Sequence, residues 1–395
     1  MATDVVIVSG ARTPIGRLGG AFKDMRGSAL GAIAIRAAVE RAGIAPDQVD
    51  EVIMGNVLQA AESGYAARRA MLEAGLPDTV PAMTVNRACS SGLEAINLAV
   101  LSIATGESEI VVAGGAESMS QAPHLLMGHR FDGPRIGDVA LTDSLQMGLS
   151  CPVYDYHMGV TAENVAERFE VGRAAQDELA VESHRRAVAA QAAGRFDAQI
   201  VPVAVPQRRG APVEVSKDEH PRADTSFEAL AKLPAAFKEG GTVTAGNSAG
   251  INDAAAAVVV MSAERAVAEG VRARLRWVAR GIAGVDPAIM GTGPVPATRK
   301  VLAKADVALD DIDVIELNEA FAAQALYVIR ELGLDAEKTN PNGSGISLGH
   351  PLGATGAVMV VKLMEELERC DGRFGLATLC VGGGQGVATL FERVS

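Results

Sequence analysis

Two cysteines and one histidine stand beside glycine-rich turns, and they are the residues of this chain best suited to chemistry. Cys89 is followed by Ser-Ser-Gly, His350 by Pro-Leu-Gly, and Cys380 by Val-Gly-Gly-Gly. A thiol becomes a nucleophile when a base such as histidine takes its proton. Glycine turns leave backbone N–H groups that can hold an oxyanion. The pattern predicts nucleophilic catalysis by a thiol, with a second base that would serve a carbon–carbon bond-forming step.

Each of these residues also has an interpretation without catalysis. Cys89 could be a buried structural thiol, and His350, which precedes a proline, could simply shape a loop. Asn318 ends a predicted strand and could hold a water or an oxyanion, or it could be a helix N-cap. Small residues follow Cys89, and a helical pattern begins there. Because unsatisfied N–H groups and the helix dipole favour a thiolate, this position predicts a lowered pKa for the thiol.

Composition and charge exclude several classes of protein. At 395 residues and 48% hydrophobic, the chain predicts two or three folded domains and excludes disorder. A net charge of −12 argues against nucleic acid as the main partner. No apolar stretch approaches the ~18 residues that a membrane span needs, and the first residues predict a strand rather than a signal peptide. The four cysteines show no zinc spacing, which predicts no metal site and a reducing, cytoplasmic location.

The two ends of the chain look like two copies of one strand–helix unit. Gly92 and Gly353 lie 261 residues apart, and Gly114 and Gly382 lie 268 residues apart. Similar offsets at two landmarks predict an internal duplication, and alternating strands and helices predict a mixed sheet covered by helices. The predicted strands are 49–57, 83–85, 109–113, 312–317 and 376–379, and the predicted helices are 66–74, 319–332 and 352–369.

A proline-rich segment separates the two copies. It is predicted to carry one helix at 162–169, capped by Thr161, and a second at 174–192. We interpret this insertion as a ligand-binding surface, and the alternative is a structural cap on the duplicated core.

The order and spacing of these motifs resemble the thiolase family over the whole chain. Besides the turns around Cys89, Asn318, His350 and Cys380, the resemblance rests on segments 9–16, 114–120, 157–164, 241–247 and 380–386. It implies an α/β protein with the duplicated thiolase fold, in which two βαβαβαββ-type halves form an αβαβα layered core with an inserted loop domain. The implied domains are 1–118 with 251–272 for the N-terminal half, 119–250 for a loop domain that binds coenzyme A, and 273–395 for the C-terminal half.

The resemblance implies a reversible Claisen condensation of two acetyl-CoA molecules to acetoacetyl-CoA and CoA, or thiolysis of short 3-ketoacyl-CoA. Cys89 would carry the acyl group and His350 would activate it. His350, with a water held by Asn318, would stabilise the oxyanion of the second thioester, while Cys380 would abstract the α-proton. The N–H groups of Cys89 and Gly382 would form the oxyanion hole of the acyl-enzyme.

The same resemblance implies coenzyme A and acetyl-CoA as substrate and product, with no permanently bound cofactor and no metal. The implied contact residues for substrate and coenzyme A are His157, Met158, Arg222, Phe237, Ala245, Ser248 and Phe321. Phosphate contact would fall to Arg222 and to Arg208 and Arg209, although the latter pair could equally form a solvated hairpin turn. Family members commonly have Asn-Ala-Ser-Gly where this chain has Asn-Ser-Ala-Gly at 247–250, which leaves the pantetheine contact and acyl specificity open.

A homo-oligomer, a tetramer built as a dimer of dimers, is also expected. The resemblance implies it, and the apolar, Gly/Pro-rich loop 124–143 is more easily explained if a partner subunit covers it. The alternative for this loop is packing on the chain's own core.

Three rival functions remain. A ketoacyl synthase-type condensing enzyme would use two histidines with its cysteine, whereas here the second base position holds Cys380. A non-catalytic acyl-CoA-binding member of the superfamily would not need Cys89, His350 and Cys380 intact. A degradative 3-ketoacyl-CoA thiolase of broader chain length shares all these motifs, so the sequence leaves the physiological direction open.

Overall fold

The computed structural model describes residues 4–394. Residues 1–3, where the predicted first strand begins, and residue 395 lie outside the described residues. The strands are β1 Val5–Arg12, β2 Gly16–Arg17, β3 Glu51–Gly55, β4 Ala82–Val85, β5 Ile110–Ser118, β6 His124–Leu125, β7 Thr142–Asp143, β8 Val203–Val205, β9 Val213–Val215, β10 Asn252–Ser262, β11 Leu275–Gly284, β12 Ile312–Leu317, β13 Phe374–Val381 and β14 Gln385–Arg393. The α-helices are α1 Gly27–Ala42, α2 Ala66–Ala74, α3 Ser91–Ala104, α4 His129–Asp132, α5 Ser144–Gly148, α6 Met158–Arg168, α7 Arg173–Ala192, α8 Phe227–Leu230, α9 Ala263–Glu269, α10 Pro294–Ala305, α11 Ala322–Leu332, α12 Gly345–Leu348 and α13 Leu352–Arg369.

One hydrogen-bonded sheet runs through both halves of the chain, in the order β12-β13-β14-β11-β1-β10-β5-β3-β4. Strands β1 and β11 meet at its centre through two residue pairs, so the sheet divides naturally there. On one side the order β1-β10-β5-β3 repeats the order β11-β14-β13-β12 of the other side. In each of these sets of four strands the last pair is parallel and the others are antiparallel, and β4 adds a further parallel pair beyond β3. The mixed sheet and the duplication predicted from glycine spacing are therefore both present.

Helices cover each half-sheet on both faces. The central layer is formed by α3 and α13, which pack on each other and on both halves of the sheet. The outer face of the first half-sheet is covered by α1 and α2, and that of the second half-sheet by α10 and α11. This gives the αβαβα layering that the family resemblance implies.

 Strand β10 is buried at every position except its last residue, Ser262, as expected for a strand with helices on both faces.

Several predicted elements match the observed bounds, and the others differ at one or both ends, two of them for reasons visible in the structure. Helices 66–74 and 352–369 and strand 312–317 are found as predicted. Strand β5 does not end at Gly114 but continues to Ser118, because these glycines serve close packing rather than a turn. A Cβ at Gly114 would lie 2.0 Å from the carbonyl oxygen of Ala256 on β10. The helix predicted from residue 319 begins only at Ala322, after an extended Phe321.

Residues 119–250 form small elements apart from the large sheet. Their strands make two hairpins, β6 with β7 and β8 with β9, and their longest helix is α7. The helix predicted at 162–169 starts earlier, at Met158, because His157 rather than Thr161 is its N-cap: His157 Nδ1 accepts from the N–H of Gly159 at 3.0 Å. The exact domain boundaries at 118, 250 and 272 stay predictions.

A buried ion pair fastens this segment to the core. The guanidinium of Arg12, at the end of β1, donates to both carboxylate oxygens of Asp218 at 2.7 and 3.0 Å, and both side chains are fully buried. Asp218 also accepts from the N–H of Ile15. His220, two residues after Asp218, lines the cavity described below. The pair therefore sets the position of one cavity wall relative to the sheet.

None of the helices within residues 4–394 is long and apolar enough to cross a membrane.

Replacing one partner of the buried pair should destabilise the protein strongly. In Asp218→Asn, Arg12 stays buried without a compensating charge, which typically costs about 3–5 kcal/mol. The exposed pair of Arg299 and Glu331, with side chains 58% and 41% exposed, provides the matched control. Glu331→Gln should cost at most about 1 kcal/mol. Urea denaturation of both variants measures the difference, and equal midpoints would contradict the assigned role of the buried pair.

Candidate active site

One cavity of about 570 Å³ collects most of the residues that the sequence singles out. The first half of the chain contributes Cys89, the second half contributes His350 and Gly382, and the middle segment supplies much of the remaining wall. The predicted contact residues on this wall are His157, Met158, Arg222, Phe237, Ala245, Ser248 and Phe321. The cavity is thus built from all three parts of the chain.

A tight turn presents Cys89 just before helix α3. The side-chain oxygen of Asn86 accepts from the N–H of Ala88 at 2.9 Å, and the hydroxyl of Ser91 donates to the carbonyl oxygen of Ala88 at 2.7 Å. Ala88 has φ +42°, a left-handed conformation that a residue with a Cβ adopts only when its surroundings impose it. Cys89 follows directly and is partly exposed to the cavity. Its position at a helix start is as predicted.

The pKa of Cys89 corrects an expectation from the sequence. Burial raises the pKa of this thiol to about 11, although backbone N–H groups of Gly382 and of Cys89 itself act to lower it. The helix start therefore supplies the expected donors, but the dense wall around the sulfur outweighs them. The resting residue is a thiol, and it must lose its proton during attack rather than beforehand.

His350 lies two residues before helix α13, as Cys89 lies two residues before α3. Its backbone N–H donates to Asn252 Oδ1 at 2.9 Å, and its ring Nδ1 lies 2.7 Å from the hydroxyl oxygen of Thr355. The other ring nitrogen, Nε2, has no hydrogen-bond partner within residues 4–394. Burial lowers the pKa of His350 to about 4, so the ring is neutral at physiological pH and can accept a proton.

Cys380 and Asn318 do not line this cavity. Cys380 is fully buried behind the wall, in a cluster with Phe321 and Met158, and burial together with the nearby Cys89 raises its pKa well above the usual range. Asn318 is also buried, and both polar atoms of its side chain lack a partner within the described residues. Its side chain borders a separate small void near Ser344. An unpartnered amide beside such a void fits the predicted holder of a water.

Aromatic rings close one side of the cavity. The imidazole of His157 stacks on Phe237 at 4.7 Å between centroids, and Phe237 meets Phe321 edge-on at 6.0 Å. The backbone beside them leaves no spare room: a Cβ at Gly159 would lie 2.2 Å from the Phe237 ring, and one at Gly382 would lie 2.9 Å from Met158 Cε. This wall is therefore rigid except where Met158 can change rotamer.

One arginine, Arg222, lines the cavity. Arg222 is exposed, and His220 lines the wall two residues before it. Ser248 is present on the wall, but its hydroxyl donates to the carbonyl oxygen of Thr244 at 2.6 Å. The pair Arg208 and Arg209 lies in the turn between β8 and β9 and does not line the cavity, and its contact with phosphate stays a prediction.

Sequence reasoning missed three polar residues around the two helix starts. Asn252 holds the backbone of His350, and Thr355 contacts its ring. Glu117 is fully buried and accepts from the backbone N–H groups of Val57 and Gly353, while burial raises its pKa to about 7. Asn252 could have been found from the sequence, because a buried polar residue at the start of an otherwise almost entirely apolar strand indicates a specific hydrogen bond.

No group of three or more His, Cys, Asp or Glu side chains within residues 4–394 is arranged to hold a metal ion.

Comparison with known proteins gives matches along the entire chain. Residues 5–264 match the family model for the thiolase N-terminal domain, and residues 271–393 match that for the thiolase C-terminal domain. The chain is 51% identical over 392 residues to the acetyl-CoA acetyltransferase of Cupriavidus necator, covering 99% of this chain and 100% of that protein.

Solved structures match equally well. The Bacillus anthracis acetyl-CoA acetyltransferase has a TM-score of 0.97 and 48% identity, over 100% of this chain and 99% of that chain. The human mitochondrial 3-ketoacyl-CoA thiolase in complex with CoA has a TM-score of 0.96 and 41% identity, over 100% of both chains. The fold class predicted from the sequence is confirmed by these matches.

The raised pKa of Cys89 predicts how its alkylation depends on pH. Because only the thiolate reacts, the rate of carboxamidomethylation by iodoacetamide should rise about tenfold per pH unit up to about pH 10. Mass spectrometry of the peptides follows Cys89, with the exposed Cys370 measured in the same digest as the control for reagent decay. A Cys89 rate that levels off below pH 8 would show a preformed thiolate and contradict this reading.

Proposed function

The chain belongs to the thiolase family, and we propose that it is an acetyl-CoA acetyltransferase that joins two acetyl-CoA molecules into acetoacetyl-CoA and CoA. The reverse reaction, thiolysis of short 3-ketoacyl-CoA, uses the same site. The observation that carries the proposal is the meeting of Cys89, His350 and Gly382 at one cavity. The full-length identity of 51% to the Cupriavidus necator acetyl-CoA acetyltransferase supports the choice of substrate.

In the first half-reaction, Cys89 accepts the acetyl group. Neutral His350 takes the thiol proton as the sulfur attacks the thioester carbonyl, so no separate thiolate has to exist in the resting enzyme. The N–H groups of Cys89 and Gly382, both close to the sulfur, would receive the oxyanion. These donors are backbone groups held by a helix start and a glycine turn, which means that they need not reorganise during the reaction.

In the second half-reaction, Cys380 removes the α-proton of the second acetyl-CoA. This role needs Cys380 as a thiolate, and the thiol would first pass its own proton to Nε2 of neutral His350, which then carries a donor for the enolate oxygen. Burial and the raised pKa of Cys380 make that thiolate a strong base. The enolate oxygen would be held by His350 and by a water on Asn318, whose unpartnered amide supports this part of the proposal. The carbanion then attacks the acetyl carbon on Cys89, and the bond between that carbon and the Cys89 sulfur breaks. The released sulfur takes the proton from His350 Nε2 while Cys380 keeps the α-proton, so all three residues return to their starting forms.

Coenzyme A is proposed as substrate and product rather than as a resident cofactor. The arginine that lines the cavity, Arg222, offers a charged donor for a phosphate group, and the largely apolar wall around Phe237 and Met158 suits the acyl end. The proposed loop domain, 119–250, supplies these residues. A cytoplasmic location belongs to the same proposal and is supported by the four free cysteines.

A tetramer, as a dimer of dimers, is proposed as the working assembly. Two surfaces support it: β4 is an open edge of the large sheet, and the loop 126–141 exposes apolar side chains, with Phe131 88% and Ile136 95% exposed. Light scattering at micromolar concentration should give a tetramer mass. Phe131→Asp combined with Ile136→Asp should reduce it, whereas Val267→Asp, at an equally exposed position outside both surfaces, should not. A wild-type monomer would refute the assembly.

Replacing Cys89 should block acetylation of the enzyme, whereas replacing Cys380 should block only the condensation step. Wild-type protein mixed with acetyl-CoA should gain one acetyl group, and Cys89→Ala should gain none and lose turnover in both directions. Cys380→Ser should still be acetylated but condense slower by orders of magnitude, because a serine hydroxyl is a far weaker base. Intact-mass spectrometry and a condensation assay measure the two steps. An acetyl adduct that survives Cys89→Ala would overturn the assignment.

Chain length provides the test between short-chain and degradative types. Acetoacetyl-CoA should be a good thiolysis substrate and 3-ketovaleryl-CoA should be accepted, because Met158 can move to admit one methylene. Long-chain substrates should be poor, since Phe237 and Phe321 fix the wall and repacking it is costly. Met158→Ala should widen the range, and Met147→Ala, also on the cavity wall, serves as control. Equal kcat/KM for four- and sixteen-carbon substrates would contradict the short-chain proposal and assign the enzyme to the degradative type.

A further inference from the structure

The hydroxyl of Thr355 lies between the imidazole of His350 and the carbonyl oxygen of Pro351, and it can donate only one hydrogen bond. Its oxygen lies 2.7 Å from His350 Nδ1 and 3.0 Å from the carbonyl oxygen of Pro351, and Thr355 is buried with 5% of its surface exposed. Both neighbours are within hydrogen-bond distance, so the proton on the hydroxyl decides which tautomer the neutral imidazole adopts.

Only one arrangement satisfies both contacts. If the hydroxyl donates to Pro351, its oxygen is free to accept a hydrogen bond from Nδ1–H of His350, and every close contact contains a proton. If the hydroxyl instead donates to a bare Nδ1, the oxygens of Thr355 and Pro351 face each other at 3.0 Å without a proton between them. Two acceptor oxygens at that distance repel, and the first arrangement is therefore the stable one.

We propose that Thr355 is a positioning residue that keeps the proton of neutral His350 on Nδ1. The lone pair of Nε2, which has no hydrogen-bond partner within residues 4–394, is then left free to accept the thiol proton of Cys89. This inference rests on the proposed function and deepens it by adding the group that orients the base. Nucleophile and base pairs generally need a third group that holds the base in one tautomer. Here that group is a neutral hydroxyl rather than a carboxylate.

The arrangement serves the proton transfers of acetylation without rearrangement. As the sulfur of Cys89 forms its bond to the acetyl carbon, its proton moves to Nε2 of His350, and the imidazolium keeps the same Nδ1–H bond to Thr355. The bond between the acetyl carbon and the sulfur of CoA then breaks, and that sulfur takes the proton from Nε2. His350 returns to its starting tautomer with its ring in place.

A neutral partner also explains the low basicity of His350. Its pKa is lowered to about 4 by burial, and no carboxylate within residues 4–394 contacts the ring to offset that effect. A weakly basic imidazole takes the proton only as the new bond to sulfur forms, and it passes the proton on readily to the leaving thiol. A carboxylate in place of the hydroxyl would stabilise the imidazolium and slow that last transfer.

The test measures single-turnover acetylation of Cys89 by rapid quench and intact-mass spectrometry. Thr355→Val keeps the shape and removes the hydroxyl, and we expect the rate to fall by between about tenfold and a thousandfold, with little change in the acetyl-CoA concentration at half-saturation. Thr355→Ser restores a hydroxyl and should recover most of the rate. Thr298→Val, which removes another buried hydroxyl at 3.2 Å from that of Thr378, is the matched control.

The outcomes separate this inference from the proposed function. A wild-type protein that forms no acetyl-Cys89 would refute the proposed function itself. A wild-type protein that is acetylated normally, together with a Thr355→Val variant that matches it in rate, would overturn the role of Thr355 alone. Equal losses in Thr355→Val and Thr298→Val, or no recovery in Thr355→Ser, would likewise assign Thr355 a merely structural role. If Thr355→Val does not fold, Thr355→Ala is measured in its place against the same criteria.

Discussion

The close approach of helices α3 and α13 is the constraint on which the site depends. A Cβ at Gly92, near the start of α3, would lie 2.8 Å from the carbonyl oxygen of Gly353, near the start of α13. The contact is equally close from the other helix, because a Cβ at Gly356 in α13 would lie 2.4 Å from the backbone nitrogen of Leu93 in α3. Backbones can meet at such distances only where side chains are absent. The two helix starts, one from each copy of the duplicated unit, are thereby fixed side by side.

This contact brings together residues that lie far apart in the chain. Cys89 and His350 each precede their helix by two residues, so the crossing of the helices carries both to one cavity. The buried carboxyl of Glu117 reinforces the crossing, because it accepts from backbone N–H groups of both halves, at Val57 and Gly353. The duplicated fold thus supplies a nucleophile from one copy and a base from the other. With pKa values of about 11 and 4, the two are a neutral thiol and a neutral imidazole at rest.

Much of the fold and the identity of the chemical groups could be predicted, because both depend on local pattern. Small residues beside Cys89 and His350 mark where α3 and α13 begin, and α13 has the bounds predicted for it. Gly92 and Gly353, which were predicted as turn residues, lie inside these helices and serve their close packing. Hydrogen bonds between residues far apart in the chain could not be predicted from local pattern. For example, Asn252 accepts from the backbone N–H of His350, which lies 98 positions away. The pKa of Cys89 was predicted in the wrong direction for the same reason, since burial by tertiary packing outweighs the local helix start.

The most direct test of this account is the single-turnover rate of Cys89 acetylation in Gly92→Ala. The added methyl group must push α3 and α13 apart, because its neighbours at 2.8 and 2.9 Å are backbone atoms of Gly353 and Ala357. We expect a loss of about a hundredfold or more, because a shift of about 1 Å between reacting groups costs that much. Gly172→Ala, where a Cβ meets nothing within 4 Å, should react like wild type. A Gly92→Ala protein that is acetylated at the wild-type rate would contradict the claim that the glycine crossing positions the site.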